Sequence, residues 1–113
     1  MIFAIATDDR TLTVFPDPAS AIAYCEGIDV EDGVWLFWGP DGESLEAAFS
    51  QPNERGHLWV ASGVYSLRPS ANGKSLLESL EGVGDLEPNP HFSSLDAVVE
   101  HLAQCNKAKH HRA

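Results

Sequence analysis

Two short β-type runs lie near the start of the chain, the first apolar almost throughout and the second with polar and apolar residues interleaved. "IFAIAT" (residues 2–7) and "TLTVF" (residues 11–15) flank "DDR", and together they predict a β-hairpin. The rhythm then lengthens. In "FPDPASAIAYCEGI", Asp17 is placed to cap a helix and Pro18 suits its first position. Gly27 is placed to end it in a left-handed conformation, while Ala19, Ile22, Ala23 and Cys25 supply a modest inward stripe. After an acidic loop, "VWLFW" (residues 34–38) is apolar on both faces, with Val34, Leu36 and Trp38 pointing one way and Trp35 and Phe37 the other. "GPDG" predicts a turn and "ESLEAAFSQ" a return strand. "PNERG" predicts another turn before a long strand, "HLWVASGVYSLR", interrupted at Gly63 by a bulge or kink. "SLLESLE" suggests a short helix. "FSSLDAVVEHLAQC" predicts a firm one, with Ser93 and Asp96 as a capping pattern, Phe92 at its entrance, and Leu95, Val98, Val99 and Leu102 as the buried stripe.

This order predicts an α+β fold: an antiparallel sheet of about five strands, hairpin plus meander, with two main helices packed on one face. Residues 1–106 form the single domain, and residues 107–113 are expected to be a basic, frayed tail. If helices cover one face only, the other face leaves aromatic residues in water: Trp35 and Phe37, or else Trp38 with Val34 and Leu36. Alternatively, the final segment or the 69–90 region folds over them. An exposed aromatic sheet rimmed by carboxylates has the composition of a protein-docking surface.

Charge strengthens that expectation. The chain of 113 residues has 7 Lys and Arg against 17 Asp and Glu, and a net charge of −10. Three of the bases, Lys107, Lys109 and Arg112, sit in the terminal "KAKHHRA". Residues 1–54 hold one base, Arg10, against 11 acids. Such a field repels phosphate backbones and anionic lipid, so neither nucleic acid nor a membrane is the expected partner, and it accelerates encounter with cationic proteins. The N-terminus reads as a strand rather than a secretory signal, and no apolar run approaches the roughly 20 residues of a transmembrane helix. A cytoplasmic location is therefore expected. Cys25 and Cys105 show no metal-ligand spacing and are expected to be reduced.

Signatures of catalysis are lacking. The sequence contains no GxSxG, HExxH, GxGxxG or phosphate-cradling loop. "DVEDG" at 29–33 fails as a calcium loop because its Gly falls one position early and no Glu closes twelve residues. His57, His91, His101, His110 and His111 share no spacing that builds a metal site. No cofactor, metal or enzymatic activity is expected. The candidate binding residues are the acids Glu26, Asp29, Glu31, Asp32, Asp41, Glu43 and Glu46, with Trp35, Trp38 and Trp59 as anchors. Carboxylates would speed association while desolvated indoles supply the affinity.

The opening "MIFAIATDD", the continuation "TVFPDPASAIAYCEGIDVEDGVWLFW" and the terminal "FSSLDAVVEHL" resemble small acidic immunity proteins of bacterial polymorphic toxin systems. These include the immunity partners of contact-dependent growth inhibition toxins. The likeness, one of size, charge and element order, spans most of residues 1–68 and returns near 92–103. It implies a cytoplasmic, non-catalytic protein, monomeric before complex formation, that blocks a basic nuclease domain of a cognate toxin. The basic tail departs from the acidic pattern. The rival expectation is a small-ligand or regulatory binding module, possibly a homodimer joined through the aromatic sheet face.

Overall fold

The structure, a computed structural model, describes residues 1–110, with side chains as far as Lys107. β1 (Ile2–Ala6) and β2 (Thr11–Phe15) form the expected antiparallel hairpin, in register from Ile2 opposite Phe15 to Ala6 opposite Thr11. α1 (Pro18–Tyr24) begins as its sequence dictates, with the Asp17 side chain accepting a hydrogen bond from the Ser20 amide. α2 (Gly27–Glu31) follows, then β3 (Trp35–Trp38), β4 (Ser44–Gln51) and a small hairpin of β5 (Glu54–Arg55) and β6 (Val60–Ala61). β7 (Val64–Pro69), α3 (Leu76–Ser79), a 3₁₀ turn at Leu80–Gly82, β8 (Asp85–Leu86) and α4 (Leu95–His110) complete the described chain.

The α+β class stands. Six strands form one sheet in the order β7-β4-β3-β1-β2-β8, antiparallel throughout except for the β2–β8 pair. The helices, however, do not share a face. All five residues of β1 are buried, so successive side chains serve two cores. Phe3 and Ile5 join Leu12, Val14 and Trp38 under Leu76 of α3 and Val98 and Leu102 of α4. Ile2 and Ala4 join Phe15, Phe37 and Tyr65 under Ala21 of α1 and the adjoining Cys25. α1 and α4 thus lie on opposite sides. A one-sided helix layer would have left half of β1 in water. Burying a side chain such as Phe3 stabilises by about 1.5–3 kcal/mol, and the second layer extends that gain to the alternate positions.

Other expectations shift locally. Gly27 does not end α1. Cys25 caps that helix in extended conformation, and Gly27 opens α2, where the sequence suggested an acidic loop. The space there is tight, since a Cβ on Gly27 would stand 2.7 Å from Asn53 Oδ1 and would displace that side chain. The long strand expected over residues 57–68 is split into β6 and β7 around Gly63, the position where a kink was anticipated. There a Cβ would meet the Gln51 carbonyl oxygen at 2.0 Å. The cap of α4 is Ser94 rather than Ser93, its hydroxyl accepting from the Ala97 amide at 3.1 Å. The helix continues through His110, into the segment expected to be frayed, and the rest of that tail, residues 111–113, lies outside the described residues.

Candidate functional site

Of the ten residues singled out from sequence, Trp35 and Trp38 are the two ends of β3, Glu46 lies on β4, and the other seven fall into three places. Glu26, Asp29, Glu31 and Asp32 lie on or beside α2, at the entrance of β3. Asp41 and Glu43 lie at the far end of β3, in its turn to β4, about 13 Å away by the rise of a four-residue strand. Within that turn a Glu43 carboxylate oxygen accepts from the Asp41 amide at 3.0 Å, so it holds the turn. Trp59 sits on the β5–β6 hairpin, more than half exposed.

Trp38 does not qualify as an anchor. It is 3% exposed, and its indole N–H donates to the Lys74 carbonyl at 2.8 Å. The region after β7 and the terminal helix cover it. Nor is either sheet face a bare aromatic surface. What remains accessible along β3 is Leu36, 48% exposed, and part of Trp35.

Two concavities meet at Trp35. The first arises because β3 and β4 separate after a short contact. They pair only at Phe37–Leu45 and Trp38–Ser44, whereas β4 continues along β7 as far as Gln51. The resulting fork encloses about 430 Å³, walled by Trp35, Leu36, Phe37, Leu45, Ala47 and Phe49, with Val30, Glu31 and Glu46 at its margins. The second is a hollow of about 250 Å³ between the β1–β2 turn and α2. Asp8, Asp9, Asp29 and Glu87 line it, and Tyr24 and Trp35 form an aromatic wall with ring centroids 5.9 Å apart in a T-shaped arrangement.

Asp8, Asp9, Tyr24 and Glu87 were not anticipated. The two aspartates read as a turn, and they do make one: an Asp8 carboxylate oxygen accepts from the Asp9 amide at 2.8 Å. Glu87 reaches the hollow because β8 pairs in parallel with β2, and its amide donates to the Leu12 carbonyl at 2.8 Å. A two-residue strand closing across more than 70 positions leaves no local sequence signal.

The hairpin carrying Trp59 is fastened to α2. Asn53 donates through Nδ2 to the Gly27 carbonyl at 2.9 Å and accepts through Oδ1 from the Gly63 amide at 2.7 Å. Arg55 pairs with Asp32 at 2.8 Å and with Glu31 at 3.5 Å. Arg68 approaches Glu46 at 3.6 Å. Among the described residues these are the ion pairs, so the carboxylates of the hollow have no cation within 4.0 Å.

Cys25 is fully buried, and burial, reinforced by the nearby Asp29 charge, pushes its thiol up to about 12. It is therefore protonated at neutral pH and unsuited to nucleophilic attack. Burial likewise raises Tyr65, whose hydroxyl donates to the Cys25 carbonyl. His101 lies on the opposite side of the sheet, packed between Phe3 and Phe92, with Nε2 at 2.9 Å from the Pro40 carbonyl oxygen and 3.7 Å from Cys105 Sγ. Cys25 is a free thiol. Among the described residues no cluster of His, Cys, Asp and Glu has the arrangement of a metal site, and no helix is long and apolar enough to cross a membrane.

Comparison with family models, curated proteins and solved structures returns no match for the chain.

Proposed function

We propose that this protein is a non-catalytic inhibitor of the immunity type, which captures a basic toxin domain, such as a nuclease, and neutralises it by covering its substrate-binding surface. The observation that carries this reading is the uncompensated acidity of the Trp35 hollow. Asp8, Asp9, Asp29 and Glu87 surround two aromatic side chains with no basic residue in the lining. No ion pair among the described residues compensates these charges, and the Asp8 and Asp9 carboxylates accept only amides of their own turn. They remain available to imitate the phosphates of the partner's substrate, while Trp35 and Tyr24, the latter 66% exposed, offer apolar area to a docking surface. Glu26, Glu31 and Asp32 extend the acidic field along α2, and Trp59 extends the apolar contact. Trp38 drops out of the interface, and Asp41 and Glu43 contribute at longer range.

The fork's volume would also suit a small molecule, the rival reading of a ligand-binding module. The unpaired strand edges that border it favour a polypeptide.

The test is protection in cells. The C-terminal domain of a large secreted protein encoded immediately upstream should arrest growth when expressed alone. Co-expression of this chain should restore growth, and the two should purify together one to one. The combined change Asp8→Lys, Asp9→Lys, Asp29→Lys should slow association at least about tenfold at low salt and flatten its salt dependence. Unaltered association kinetics in that variant, or growth arrest that persists with soluble chain present, overturns the proposal.

A further inference from the structure

The fork between β3 and β4 has an orientation that can be worked out from hydrogen-bond parity. Residues of an antiparallel pair alternate between exchanging backbone bonds and turning those groups away. The Thr7 amide donates to the Val34 carbonyl at 2.8 Å, so Val34 faces β1 and Trp35, next along, turns its N–H and C=O towards β4. On the other wall, the Ser70 amide donates to the Ser44 carbonyl at 2.9 Å and the Gly39 amide to the Glu43 carbonyl at 2.9 Å. Glu43 and Leu45 therefore face β3, and by the same alternation Ala47 and Phe49 do too. Yet Ala47 has no ladder partner across the fork. Two strand edges thus point unpaired backbone donors and acceptors into one cleft. Such edges are templates for an added strand.

Side chains decide what kind of strand. Trp35, Phe37, Ala47 and Phe49 line one side, an apolar surface for alternate residues of an inserted segment. Glu46 projects on the other side, with Glu31 at the margin. Each carboxylate is more than two-fifths exposed and shares its arginine loosely, at 3.5 Å or more.

We propose that this fork receives an extended segment of the partner protein, in which apolar residues alternate with Lys or Arg, as an inserted strand hydrogen-bonded to Trp35 on one side and to Ala47 and Phe49 on the other. The inference deepens the reading of the chain as a binder of a basic protein and rests on it. Charge complementarity selects the basic residues, and the paired edges select an extended backbone.

The probe is an acetylated and amidated octapeptide of alternating Val and Lys, added at millimolar concentration to the full chain and followed by amide NMR and hydrogen exchange. A matched peptide N-methylated at every residue keeps charge and side chains but loses the donors needed for pairing with either edge. The amides of Trp35, Ala47 and Phe49 should shift and gain protection with the first peptide. The second should bind at least about tenfold more weakly and leave those amides unprotected. The variant Ala47→Pro removes one donor that does not serve the β4–β7 ladder, and it should abolish the protection. Shifts confined to the surroundings of Asp8, Asp9, Asp29 and Glu87, or equal binding of both peptides, would mean electrostatic capture without insertion and would overturn the strand proposal alone. No shift in either region would sink both readings. A dimer by light scattering, with those three amides already protected, would make a second copy of the chain the occupant and refute the basic segment.

Discussion

Replacing Asn53 by Ala removes one side chain that joins three parts of the molecule. Its amide nitrogen satisfies the Gly27 carbonyl at the start of α2, and its oxygen satisfies the Gly63 amide where β6 passes into β7. Both bonds are neutral and partly buried. At about 0.5–1.5 kcal/mol net for each, the pair contributes about 1–3 kcal/mol. For a domain of this length, with an unfolding entropy near 2.1 cal/mol/K per residue, each kcal/mol moves Tm by about 4 °C. Asn53→Ala should therefore lower Tm by about 4–12 °C. The loss should also be local. Water has poor access to the Gly63 amide while Asn53 holds it, so its hydrogen exchange should accelerate more than that of the amides of β1. Asn53→Asp gives a second reading, because it keeps the acceptor for Gly63 but sets a carboxylate oxygen against the Gly27 carbonyl. It should be no more stable than the Ala variant. The assays are calorimetric melting and residue-resolved exchange. A melt for Asn53→Ala within about 2 °C of the parent, together with unchanged Gly63 exchange, would show that the clamp holds nothing and that the hairpin is positioned otherwise.

Two further outcomes are expected. Burial disfavours ionised Cys25 in the folded protein, whereas the unfolded thiol ionises near its ordinary value of 9.0. The native state thus binds the proton more tightly. Its full stability is present below about pH 9 and is lost as pH rises towards about 12, a fall to be read from urea midpoints and reduced by Cys25→Ala. Tyr65, raised by its own burial, deepens that alkaline loss. Iodide quenching should report the unequal indoles. Trp59→Phe should remove the most quenchable, red-shifted emission, while Trp38→Phe should remove blue-shifted emission and cost about 1 kcal/mol by orphaning the Lys74 carbonyl. Equal quenching of the parent and Trp59→Phe would contradict the exposure of the hairpin.

Those elements that announce themselves locally were legible in the chain. Asp17 and Pro18 mark the start of α1, an unbroken apolar run marks β1, alternation marks β2 and β4, and the Leu95, Val98, Leu102 stripe marks α4. Elements defined by distant partners were not. β8 owes its strand character to β2, and α2 is a five-residue helix that Asn53 and Ser62 hold in place from far along the sequence. The same distinction separates the candidate residues that the fold gathers from the one that it buries. Asp29, Glu31 and Trp35 lie together because they are near neighbours around one turn. Trp38 is removed from the surface by α3 and α4, which arrive long afterwards. The fork escaped notice because a strand's composition does not record where its pairing stops.

The burial of β1 through both faces has a consequence for fidelity of folding. Its two sides differ in bulk: Phe3 and Ile5 fill one core, whereas Ala4, fully buried beneath α1, lets the helix approach closely on the other. Sliding β1 by a single residue would push a phenyl ring into the alanine-sized gap and leave a void where it had been. A strand with one wet side can slip at the expense of one core. Here misalignment would damage both at once, so the central strand has a single workable alignment.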